Sequence, residues 1–127
     1  MIDIGKQVDH WRKSAIEDLD VAEDLILNRH RVLHGLFFVH LALEKLLKAF
    51  VCQKTQKLAP YIHNLIRLSE IAGLQLDPEH KTLRADVNDF NLSGRYPDML
   101  VSKPSLTEAK QYLKRAKGTF EWLKNQL

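Results

Sequence analysis

Cysteine is almost missing from this chain: Cys52 stands alone among 127 residues. One thiol cannot close an internal disulfide and fails every multi-cysteine zinc pattern, so a reducing, cytoplasmic setting is expected. Within its apolar stretch, Cys52 reads as a small buried hydrophobe. Long hydrophobic runs are missing too. Glu44, Lys45 and Lys48 interrupt the most apolar segment, which therefore falls short of the ~18 residues a membrane span requires. The opening Met1-Ile2-Asp3-Ile4-Gly5-Lys6 turns polar at once, so no signal peptide is expected. Nor is there a large charge of one sign: 19 Lys and Arg face 16 Asp and Glu, for a net +3. A dedicated DNA binder carries a denser basic stripe. Glycine and proline number only 5 and 4, and no repeat, low-complexity tract or alternating strand pattern is present. The length suits one domain, here residues 1–127, large enough to build a core without staples.

What the sequence does contain is helical periodicity. Over residues 6–28 the apolar positions Val8, Trp11, Ala15, Leu19, Ala22 and Ile26 recur in steps of three and four, marking one face of an amphipathic helix. Asp9 and Lys13 form an opposite-sign pair four residues apart on the polar side. A second helix is expected over 32–54. It is apolar on more than one side, through Leu33, Leu36, Phe37, Val39, Leu43, Leu46, Leu47, Phe50 and Val51. So wide a stripe suits a central helix, or one shared with a partner subunit. A polar connection containing Pro60 spans 55–61, and a short helix over 63–72 stops at Gly73. Asp77-Pro78-Glu79 looks like a new start, a capping carboxylate followed by proline at the first helical position. That helix, with Leu83, Val87 and Phe90 inward, fades near Asn91, and residues 92–104 are turn-rich. Ser105-Leu106-Thr107-Glu108 is a capping box opening a final helix, whose inward face is Leu106, Ala109, Leu113, Ala116, Phe120 and Leu123. The acidic first helix and the basic last one could align as neighbours, or simply present solvated faces. The fold class is all-α, an up-and-down bundle of four to five helices.

Three clusters carry chemically useful groups. His40, Glu44 and Lys48 share a face of the second helix, with Glu44 placed four residues before Lys48 in the better orientation for an ion pair. Charges in so apolar a helix demand partners, whether as a structural polar network or as a binding site. His63-Asn64-Leu65 puts a histidine where it can join that network, reach Glu44, or cap the third helix. Arg95-Tyr96-Pro97-Asp98 offers a guanidinium fork suited to carboxylate or phosphate, on a loop directed by proline. His30 and His34, four apart, lack a third ligand, and no metal site is expected.

The ordered set of an amphipathic first helix, Phe38-Val39-His40-Leu41-Ala42-Leu43-Glu44-Lys45-Leu46-Leu47-Lys48-Ala49, His63-Asn64-Leu65 and Arg95-Tyr96-Pro97-Asp98 resembles the HEPN domain family over nearly the whole chain. It is most similar to the small stand-alone prokaryotic HEPN proteins encoded beside a minimal nucleotidyltransferase. The resemblance implies a four- to five-helix bundle, usually a homodimer with a polar cleft. Family members include nucleotide-binding partners of nucleotidyltransferases in toxin-antitoxin-like pairs, and toxins that cut RNA without metal. The ribonuclease members carry arginine, four to six residues, then histidine near the start of a late helix. Here no histidine follows Arg84 or Arg95, and the Arg29 to His34 spacing falls at the junction of the first two helices.

The resemblance therefore implies a dimeric protein that binds a nucleotide, a nucleotidyltransferase partner, or both, and needs no cofactor. Arg95 would meet phosphate or a partner carboxylate, Glu44, Lys48 and His40 would wall the polar cleft, and His63 and Tyr96 would orient the ligand. The alternative is a metal-independent ribonuclease toxin with a diverged site using Arg95 and His63 or His40, histidine moving protons while arginine steadies the phosphate. In a third reading the partner attaches a nucleoside monophosphate to a tyrosine, Tyr96 ahead of Tyr61 and Tyr112.

Overall fold

The computed structural model describes residues 2–76, 78–82 and 104–127, and among these every regular element is helical. Helix α1 spans Ile4–Glu23, where Asp3 caps its start by accepting from the Lys6 amide. Helix α2 spans Val32–Thr55, α3 spans Leu65–Ile71, and α4 spans Leu106–Lys124. Residues 78–82 are also helical. The expected new start at Pro78 thus agrees with the structure, while Asp77, Leu83, Val87 and Phe90 lie outside the described residues.

The sequence pattern predicts one helix to Asn28, and here the structure differs. After Glu23 the chain widens into a five-residue π-helical segment, Asp24–Asn28. The extra residue in this turn brings Ile26 fully into the core, against Gly35 of α2. A Cβ at Gly35 would collide with the Ile26 side chain, so glycine here allows the close approach. Asp24 closes the segment by accepting from Asn28 and Arg29 side chains at 2.8 and 2.9 Å. His30 then takes a left-handed conformation, φ +55°, and the Arg31 amide reaches back to the Leu25 carbonyl.

This short turn returns the chain antiparallel to itself. Ile26 meets Gly35, Asp18 and Ser14 meet Lys45, and Trp11 meets Lys48, so numbers fall along α1 as they rise along α2. The α1–α2 interface is the most extensive among the described helices, and α3 and α4 also pack on α2. Helix α2 is accordingly the central one: fifteen of its residues are buried, including Leu36, Val39, Leu43, Leu46 and Val51. Its own end is marked by Gln56, left-handed at φ +59°. The capping box of α4 is formed as expected, Ser105 and Glu108 each donating a backbone amide to the other's side chain at 3.1 Å. The acidic and basic helices do meet, through an ion pair between Glu23 and Lys117.

Candidate functional site

The buried polar residues of α2 sit one turn apart on the face that the connection to α3 crosses. Glu44 is at the centre, with only 4% of its side chain exposed. Its Oε2 lies 3.2 Å from Lys48 Nζ, the i, i+4 pair read from the sequence. Its Oε1 lies 3.1 Å from His63 Nδ1 and 3.7 Å from His40 Nδ1. Lys48 is almost as buried as Glu44, and Trp11 of α1 covers it, the ammonium standing 5.3 Å from the ring centroid. Neither charge could be held here alone. In a low-dielectric interior the pair is tolerable because each ion neutralises the other and the indole face adds a cation–π contact.

Local structure explains how His63 reaches this site. The sequence reading starts the third helix at His63; in the structure Asn64 is the cap and its side chain accepts from the Arg67 amide. His63 therefore lies outside the helix, on the irregular connection 56–64, with its ring turned toward Glu44. It is the member of the cluster that meets solvent, with 47% of its side chain exposed, whereas His40 is fully buried. When Glu44 accepts from Nδ1–H, the imidazole is oriented and Nε2 is left as an acceptor. With Oε1 on His63 and Oε2 on Lys48, both oxygens of the Glu44 carboxylate are engaged within the cluster.

The sequence-derived candidates thus divide. Glu44, Lys48, His63 and His40 come together in one network. Arg95 and Tyr96, as ligand-binding residues and Tyr96 as a modification site, lie outside the described residues. Two contacts, one at this network and one apart from it, are not legible in the sequence pattern. Trp11 reads as an ordinary inward position of α1, and only the antiparallel packing shows that it roofs Lys48. His80 hydrogen-bonds through Nδ1 to Thr119 Oγ1 at 2.6 Å and stacks on Trp122 with centroids 4.7 Å apart, tying residues 78–82 to α4. A second α1–α2 network joins Lys45 to Asp18 at 2.7 Å and to Ser14 at 2.8 Å. Cys52 is fully buried as expected, and burial pushes its thiol pKa up.

No helix among the described residues is long and apolar enough to cross a membrane. A crystal structure of TT1696 from Thermus thermophilus shares the fold, with a TM-score of 0.79 at 18% identity, over 95% of this chain and 98% of that one. No curated protein matches the sequence. The HEPN domain profile matches residues 8–126, nearly the whole bundle and every cluster described above. The chain belongs to the HEPN domain family.

Proposed function

We propose that this protein works as a homodimer that binds a nucleotide, a minimal nucleotidyltransferase partner, or both, in a toxin-antitoxin-like pair. The observation that carries the reading is the graded Glu44–Lys48–His63 network: a buried ion pair that holds one half-exposed histidine in a fixed orientation. The ion pair is made within α2 and is neutral without His63, whose half-exposed ring carries the network from the core to the surface. Arg95 and Tyr96 supply the phosphate-binding and orienting groups in this reading. Titration calorimetry with AMP, ADP and ATP tests it, together with co-purification of a nucleotidyltransferase encoded beside this gene. Binding weakened in His63→Ala, or a stable complex with that enzyme, supports the reading; neither signal from folded protein overturns it.

The same geometry favours one competing reading. A carboxylate that orients a histidine is also the arrangement of a general base, so a diverged ribonuclease using His63 and Arg95 is the reading against which this one is tested.

A further inference from the structure

Tyr61 is the most exposed large hydrophobic side chain among the described residues, at 102% of its reference area, and it covers nothing of its own chain. It lies on the connection 56–64, two residues before His63. Between them Ile62 packs inward against the core, so Tyr61, fully exposed, and His63, half exposed with Nδ1 on Glu44, flank an inward anchor. Leu58, 53% exposed, adds apolar surface to the same connection, and Pro60 fixes the backbone dihedral immediately before Tyr61.

A tyrosine that contributes no packing to its own fold, held on an anchored connection beside an oriented histidine, has the form of a stacking platform. Aromatic rings take nucleobases face to face, and such stacking tolerates every base because each has a π-face. Selection then falls to the neighbouring hydrogen-bonding edge. Glu44 occupies His63 Nδ1, so Nε2 is the ring nitrogen left for a ligand, and when Nδ1 alone carries the proton it accepts. An acceptor there matches a base that carries an exocyclic amine.

We propose that Tyr61 and His63 together form a nucleobase subsite, with the base stacked on the Tyr61 ring and its exocyclic amine, as in adenine, donating to His63 Nε2. The proposal rests on the nucleotide-binding reading above and names the part of the nucleotide that this end of the site holds. It assigns to Tyr61 a role in recognition, with the phosphate end of the ligand left to other groups.

The test is calorimetric titration of AMP and IMP into the whole protein, wild type beside Tyr61→Ala, Tyr61→Phe and His63→Ala. IMP has a carbonyl in place of the amine, so at that position it presents an acceptor to Nε2, and its remaining donor on this edge is the displaced N1–H. The expected result is AMP affinity reduced roughly tenfold in Tyr61→Ala, from the usual scale of one stacked base, and restored in Tyr61→Phe, which keeps the ring face. IMP is expected to bind the wild type more weakly than AMP, with that preference lost in His63→Ala. Thermal unfolding of Tyr61→Ala should match the wild type, because the ring touches nothing in the fold, so a binding loss cannot be assigned to misfolding. Equal AMP affinity in wild type and Tyr61→Ala overturns the subsite while leaving nucleotide binding intact. Equal affinity for AMP and IMP overturns the hydrogen bond from the exocyclic amine to Nε2. Wild-type protein that binds neither nucleotide overturns the subsite and leaves the partner complex as the remaining support for the broader reading.

Discussion

At the scale of single residues, the Glu44–Lys48 pair is the sharpest test of the core. Both side chains are almost wholly buried, so removing one leaves the other as an unpaired charge in apolar surroundings. Glu44→Leu is expected to cost about 3–5 kcal/mol in urea unfolding, the usual result of breaking a buried pair. Adding Lys48→Met removes the stranded ammonium, and the double variant should recover most of that loss, since a well-packed apolar replacement is often neutral. A double variant no more stable than Glu44→Leu would show that the network, and not the uncompensated charge, holds α2 to its neighbours. Cys52 gives a second test, through pH. Burial raises its thiol pKa above the ordinary 9.0. Below that value both folded and unfolded chains carry the neutral thiol. Above it the unfolded chain ionises first, so stability falls as pH rises toward the higher folded value. Unfolding free energies of wild type and Cys52→Ala measured from about pH 8 to 10.5 should therefore differ in slope, the wild type falling faster.

Among the elements, two glycines on different helices are expected to respond in opposite directions to the same change. Gly35 lies where α2 meets the π-helical segment, and the added methyl group of Gly35→Ala would run into Ile26, itself fully buried. Overpacking of this kind costs roughly 1–3 kcal/mol. Gly118 sits inside α4 on its exposed side, and a methyl group added there would meet no described atom within 4 Å. There alanine only removes the entropic handicap of glycine in a helix, so Gly118→Ala should stabilise by about 0.5–1 kcal/mol. Midpoints from thermal unfolding, down for one and up for the other, check both at once. These two positions also show where sequence reading stops. The amphipathic faces of α1 and α4, the Ser105–Glu108 cap and the Glu44–Lys48 pair depend on neighbours three or four residues away, and periodicity reveals them directly. The π-helical segment, left-handed His30 and the cover of Trp11 over Lys48 depend on contacts between α1 and α2. Spacing along one helix carries no record of them. His63 is an intermediate case: its reach to Glu44 is readable as an option, but the cap at Asn64, which places it outside α3, decides the geometry.

For the whole molecule, the central helix sets what an assembly could use. Leu33, Phe37 and Leu41, each four residues from the next on α2, remain only partly covered, which supports the proposed homodimer. Sedimentation equilibrium should give twice the chain mass, with Leu41→Glu shifting the population toward monomer; a wild type of single-chain mass would remove the dimer. The choice between binding and RNA cleavage is also made at this scale, because it depends on which groups reach a substrate together. Attack by a ribose hydroxyl needs a base, an acid for the leaving oxygen and charge on the phosphate. Of the four described members of the polar network, His40 is fully buried and Lys48 is locked against Glu44, leaving His63 as the one with substantial solvent access. One exposed histidine can orient a ligand, but in an in-line displacement the attacking and leaving oxygens lie on opposite sides of phosphorus, and a single imidazole does not reach both unless a second copy faces it. Purified protein incubated with RNA in chelator is therefore expected to leave the RNA intact. Cleavage that disappears in His63→Ala and in Arg95→Ala would reverse the assignment, and would mean that two chains bring their histidines to one phosphate.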